Sequence, residues 1–394
     1  MYHSPFRSLY QYSSPNGSGA LLDQNCTSSK IKTRMSQGRF FVYTTTSTSI
    51  NGTEICKVLR WISNLRNYYG KSISLPVILD FKNAIFVDKL TYIVLECIYS
   101  WLKYECRYNI RILLGPQHGI AIDGFDYSPL NKFSTSSFPS LFQRTFDLSL
   151  DLHHYRRLVR YSYTNSKTQS IINSEISDFF SHANIDIDCA DDVAEVVVEL
   201  LGNASEHCSA DCIIDIDISE QYLHISQEGK FRGVNIVVAN FSDNLLYSAI
   251  KSKFYSSVET SSSFLRLAEA LINHKAHFSS IYDETDFFML SAFQNQISGR
   301  SKKYTTGGTG LTMLIKSLQA RSESDNCYVM SGQHVIYFRK QLLTLNPEKW
   351  VGFNLESDFI NYPPHSSVVA RSNVYFPGTA YNLNFVMKEV EKND

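Results

Sequence analysis

The chain has 394 residues, 43% of them hydrophobic and 19% charged, an ordinary balance for roughly two to three packed domains. Lys and Arg total 37 against 38 Asp and Glu, and the resulting net charge of −1 argues against a nucleic-acid coat or a basic membrane-surface arm. The 25 Phe and 24 Tyr exclude wholesale disorder, the 8 Cys show no CxxC spacing, and no apolar run approaches the ~18 residues that cross a bilayer. The first forty residues show no signal-peptide apolar segment, so the expected location is cytoplasmic.

Residues 1–37, rich in Ser, Tyr, Gln and Asn, read as a flexible arm. A first unit over 38–120 follows. It opens with the β-rich run Gly38-Arg-Phe-Phe-Val-Tyr. Between Thr53 and Tyr69, Ile55, Val58, Leu59, Ile62 and Leu65 recur at helical spacing, and the run from Leu75 to Phe81 suits a buried strand. Val94, Leu95, Ile98, Trp101 and Leu102 share one face of a second helix, before a strand at Asn109–Gly115. Strands alternating with helices define an α/β layer.

Residues 121–164 read as a connector containing a helix over Leu152 to Tyr163, and 165–390 as a second large unit. In the latter, Asp191 to His207 is the strongest helical pattern of the chain. The run Cys212-Ile-Ile-Asp-Ile-Asp-Ile-Ser alternates as a half-buried strand does, and Asn235–Asn240 is a more buried one. A Ser-rich stretch at 252–263 reads as loop, ahead of helices near 264–275 and 286–298. The run Thr305-Thr-Gly-Gly-Thr-Gly opens into an apolar helix over Leu311 to Leu318, and the last eighty residues read mostly as strands.

Two segments carry chemistry. On the 191–207 helix, Val193, Val196, Val197, Leu200 and Ala204 form an apolar stripe, with Glu199 and Asn203 four apart on the opposite side. A carboxamide oxygen suits Mg²⁺, which retains water and phosphate ligands, and a carboxylate one turn away suits proton abstraction from an attacking water. Taken alone, the same helix also fits a merely solvated polar face. The second segment, Thr306, Gly307, Gly308, Thr309, Gly310 and Leu311, lets backbone approach a ligand closely and leads into a helix N-terminus that offers N–H groups to phosphate. It is neither a P-loop nor a dinucleotide fingerprint.

Together and in this order, these segments resemble the N-box and last glycine box of the GHKL (Bergerat-fold) ATPase superfamily. The resemblance covers about 165–388, including the closing run Phe376-Pro-Gly-Thr-Ala-Tyr-Asn-Leu. It implies an α/β sandwich, a mixed sheet with helices on one face, that binds ATP and Mg²⁺. Glu199 would be the general base and Asn203 the Mg²⁺ ligand, with the 306–311 run under the phosphates. The family's middle motif, Asp-x-Gly-x-Gly, is replaced here by Asn240-Phe-Ser-Asp-Asn-Leu-Leu. The adenine acceptor falls to Asn240, or to Asp243 in a shifted register.

Residues 75–88 with the following helix resemble a STAS domain, the fold of anti-sigma-factor antagonists, with Lys89 where that family has a phosphorylated Ser or Thr. The expected function is a Mg-ATP switch whose lid, residues 245–304, closes over the phosphates and controls docking to an unidentified protein partner. Pairing through the lids leaves a homodimer open. A serine/threonine kinase of the anti-sigma type and an inactive interaction module are the alternatives. His153-His154, read on a helix, lacks the neighbours of a phosphoacceptor.

Overall fold

A computed structural model describes residues 34–36, 40–69, 76–133, 139–208, 210–219, 229–256, 261–297, 310–322 and 327–390. Its elements form two sheets that share one layer of helices. The smaller sheet has the order β1 (Arg34–Ser36), β2 (Phe40–Thr44), β4 (Pro76–Phe81), β6 (Asn109–Leu114). β2, β4 and β6 run parallel, which requires crossovers. Helices α1 (Gly52–Tyr69) and α2 (Lys89–Ser100) supply them, while β3 (Ser49–Ile50) and β5 (Ile85–Phe86) pair beside them. β4 alternates, with Val77, Leu79 and Phe81 fully buried and the intervening residues half-buried, so it covers α1 and α2 on one face only.

The larger sheet runs β11 (Tyr328–Tyr337), β12 (Val369–Lys388), β10 (Phe231–Asn240), β9 (Cys212–Ile218), β8 (His154–Val159), β7 (Leu148–Asp151). Every pairing in it is antiparallel, not mixed as the family resemblance implies. The reason is local: β7–β8, β9–β10 and β11–β12 are pairs of consecutive strands, and β12 returns antiparallel against β10. The strand parity sorts side chains cleanly. Cys212, Ile214, Ile216 and Ile218 of β9 face one core with Val234, Ile236, Val238, Leu383 and Phe385. Ile213, Val237, Ala239 and Ala380 face a second core, with α1, α2 and the parallel sheet.

On the first face lie α5 (Ser166–His182), α6 (Ile187–Cys208) and α10 (Gly310–Arg321). The apolar stripe of α6 is as the spacing predicts: Val193, Val196, Val197, Leu200 and Ala204 are buried. Each such side chain contributes about 1.5–3 kcal/mol by leaving water. The second face is closed by α2, every residue of which is buried. β9 is therefore buried on both faces rather than half-buried, and its Asp residues point at a helix instead of solvent.

Two further expectations are corrected. Residues 152–160 are not helical, and only 161–163 form a short 3-10 turn: Leu152 and His153 form the turn of the β7–β8 hairpin, so the connector read at 121–164 supplies two strands of the larger sheet. It also holds a 3-10 segment (Ile120–Tyr127) and helices α3 (Pro129–Phe133) and α4 (Pro139–Asp147). Of the lid read at 245–304, residues 298–304 lie outside the described residues and 245–297 carry three helices. These are α7 (Ser248–Tyr255), where the Ser-rich stretch read as loop, then α8 (Ser262–Lys275) and α9 (Glu284–Ser291). Phe264, Leu271, Phe287 and Phe288 of this layer sit in the same core as α6, closed by Trp350, Phe353 and Phe359.

Candidate functional site

Helix α6 begins beyond Asp186, whose carboxylate accepts from the Cys189 N–H at 3.1 Å, as an N-terminal cap does. Glu199 and Asn203 are half-buried on this helix, four apart and therefore on one face. α10 packs along α6, and Arg321 Nη2 in its last turn lies 2.6 Å from Asp192 Oδ2 near the start of α6. Packing along the helix with opposite ends clamped makes the two helices antiparallel. Asn203 lies eleven residues beyond Asp192 and Gly310 eleven before Arg321, about 16 Å of axis each. From that clamp, ideal helix rise would bring the N-terminus of α10 level with Asn203, with Glu199 one turn below.

Gly310 is the first residue of α10 and Leu311 packs half-buried against the first core. Thr306, Gly307, Gly308 and Thr309 lie outside the described residues. In the first turn of α10, Thr312 is buried at 6% exposure, and its hydroxyl has no hydrogen-bond partner among the described residues. A buried hydroxyl without a partner, on a helix N-terminus, fits an oxygen-rich anion. The Asn203 carboxamide, a neutral oxygen ligand on the neighbouring helix, fits the hard cation that accompanies phosphate.

Asn240, the last residue of β10, is buried, and its Oδ1 accepts the Thr379 N–H at 2.7 Å. Gly378 makes the approach possible: at φ +109° it lies so close to Asn240 that a Cβ would collide with the Asn240 carbonyl. The side chain therefore pins β12 to β10. Asp243, three residues on, is exposed, and partial burial raises its carboxyl above the ordinary range.

Sequence reading missed a second constellation, between α2 and the larger sheet. Lys89 Nζ contacts both Asp215 and Asp217 of β9, and the Tyr92 hydroxyl donates to Asp217 Oδ2 at 2.9 Å. Arg156 of β8 pairs with Asp215 and, at 2.7 Å, with Glu96; Ser128 donates to the other Glu96 oxygen at 2.5 Å. His154 Nε2 lies 3.1 Å from Asp215, its ring stacked on Tyr127. All these charged groups are essentially inaccessible to solvent. Burial pushes the Glu96 carboxyl up to about 7, against the pull of Arg156. Burial acts upward on Asp215 too, but Arg156, Lys89 and His154 hold it well below the carboxylate range. The available signal was the period-two Asp pattern of β9 next to the Arg156-bearing strand.

His154, Asp215 and Asp217 have metal-ligand spacing, as do Asp283, Asp286 and His334. Protein cations already occupy both: Lys89 and Arg156 in the first, and Arg371 in the second, with Nη1 2.6 Å from Asp286 Oδ1. A cleft of about 330 Å³ between Ser262, Arg266, Asn295, Glu348 and Trp350 lies apart from the residues read as the site. Its Arg266 is engaged by Glu348 at 2.6 Å and the face of Trp350. No helix among the described residues is long and apolar enough to cross a membrane.

Compared with known protein families, curated proteins and solved structures, the chain shows no significant match.

Proposed function

We propose that the chain binds Mg-ATP where Asn203 of α6 meets the N-terminus of α10, and hydrolyses it slowly as a switch read by a partner protein. The observation that supports this reading is the Arg321–Asp192 clamp of α10 on α6, from which helix rise would bring two segments about a hundred residues apart in sequence to one level. In this reading the N–H groups opening α10 and the Thr312 hydroxyl receive the phosphates. Asn203 Oδ1 ligates Mg²⁺, which neutralises phosphate charge when bound. Glu199 takes the proton of the water that attacks the terminal phosphorus, releasing ADP and inorganic phosphate. With Asn240 engaged by Thr379, the adenine contact falls to Asp243. In this reading the stretch 245–304 acts as the lid whose closure controls docking to the partner, its helices α7–α9 packed on the first core.

Phosphate release from Mg-ATP by the purified chain, with Glu199→Ala alongside, tests turnover. A Mg-ATP-dependent rise in melting temperature that Asn203→Ala removes tests binding separately. One observation favours a second reading, a nucleotide-binding module without turnover: the residue in the adenine-motif position serves as a strand pin. That reading predicts the thermal shift without the phosphate release.

A further inference from the structure

The larger sheet ends at β7, and among the described residues no strand lies beyond it. β7 and β8 are joined by the two-residue turn Leu152-His153, with Asp151 opposite His154. The closing pair of such a hairpin is hydrogen-bonded, so Ser149 and Asp151 direct their backbone groups to β8. Leu148 and Leu150 then direct theirs outward, to the open edge. The same stretch holds three of the most exposed large apolar side chains: Leu148 at 52%, Leu150 at 70% and Leu152 at 66%. Leu148 and Leu150 stand opposite Arg157 and Tyr155, both of which bond Glu175 of α5. One turn from Glu175 on that helix, Ile171 is 44% exposed on the same side of the sheet. An edge with unpaired backbone groups and an apolar row is what a further strand covers, and proteins that leave an edge unpaired usually blunt it with Lys, Pro or a bulge.

We propose that β7 pairs antiparallel with β7 of a second copy of this chain, making one continuous sheet across a twofold axis. A twofold demands that the strand complement itself, and the sequence selects a register. With the axis through Leu150, Leu150 meets Leu150 of the second copy, Leu148 meets Leu152, and Ser149 faces Asp151, a hydroxyl against a carboxylate. With the axis through Ser149, Asp151 meets no residue of the opposite β7, because Asp147 already belongs to α4. The Leu150 axis keeps the outward backbone groups in phase, buries Leu148 and Leu150 on the α5 side and brings the Leu152 turn against the second copy. Ile171 extends the covered surface beyond the strand.

Sedimentation equilibrium of the full chain over a range of concentrations reads the outcome. The expected wild-type result is twice the monomer mass. Leu150→Lys sets two cations face to face on the axis and raises the dimer dissociation constant about a hundredfold. Because Leu150 is 70% exposed, the variant keeps its circular dichroism and melting temperature. Leu152→Lys, in the turn, weakens the dimer in the same direction, whereas Ile272→Lys, equally exposed on α8, leaves it intact. A wild type that is monomeric throughout, as it would be if another part of its own chain covered the edge, overturns the proposal. So does a dimer that Leu150→Lys and Leu152→Lys leave unchanged.

Discussion

Arg321 Nη2 lies 2.6 Å from Asp192 Oδ2, joining the last turn of one helix to the first turns of another, 129 residues earlier. The pair is half open to water, with the Asp192 side chain 48% exposed, so its direct worth to stability is about 1 kcal/mol or less. Its consequence is registry. Arg321→Ala is expected to lower the melting temperature little while weakening Mg-ATP binding about tenfold. The swap Asp192→Arg with Arg321→Asp restores binding, as titration calorimetry on the two variants beside the wild type will show.

The buried network between α2 and β9 predicts a different cost. Lys89 neutralises Asp215 and Asp217 where neither can reach solvent. Lys89→Met leaves carboxylates buried without that partner, and urea unfolding should register a loss of about 3–5 kcal/mol. Lys251→Met, which breaks the half-exposed pair with Glu284, should cost less than about 1 kcal/mol. Similar losses in the two variants would contradict the burial argument.

Two buried groups set opposite pH dependences. Burial raises Glu96 from 4.5 to about 7, with Arg156 opposing and Asp215 adding to the shift. The folded chain holds that proton longer than the unfolded one, so the stability is present below pH 4.5 and is lost as pH rises toward 7. Burial lowers His274 from 6.5 to about 4, its Nε2–H donating to the Phe359 carbonyl at 2.6 Å. Its stability is present above pH 6.5 and is lost as pH falls toward 4. Each term amounts to about 3 kcal/mol, and between pH 4.5 and 6.5 they offset. Glu96→Gln should leave stability rising with pH in that window, and His274→Gln should leave it falling. Denaturation midpoints against pH check both signs, and a wild type as steep as either variant would contradict the pairing.

Much of this fold is written in periodicity. Val193 to Ala204 mark α6, and Val94, Leu95, Ile98, Trp101 and Leu102 mark α2 and the turn beyond it, a helix that Asp88 caps by accepting the Thr91 N–H at 2.8 Å. Glu199 and Asn203 were legible as an i, i+4 pair on one helix, and the packing of α10 against that helix was not, because it joins segments far apart in sequence. β8 was misread as helix because a fully buried Arg156 looks, in sequence, like a residue on a solvated face. Only Glu96 and Asp215, distant in sequence, make its burial tolerable. The antiparallel run of the larger sheet was equally hidden, since strand direction depends on which strands become neighbours.

Asn240 separates a structural role from a ligand-binding one. Asn240→Ala removes the acceptor for the buried Thr379 N–H and should cost about 1–3 kcal/mol by urea unfolding. Asn240→Asp keeps an acceptor there and should be milder. Asp243→Ala, at an exposed position, should leave stability unchanged while weakening Mg-ATP binding. A stable Asn240→Ala variant would show that the strand pin is dispensable.

The central claim, hydrolysis of Mg-ATP at the meeting of α6 and α10, is tested most directly by phosphate release from the wild-type chain beside Glu199→Ala. The account predicts slow release by the wild type, abolished in the variant, while both keep the Mg-ATP-dependent rise in melting temperature. Equal release from both proteins would remove Glu199 from the chemistry, and no release with no thermal shift would contradict nucleotide binding at this site altogether.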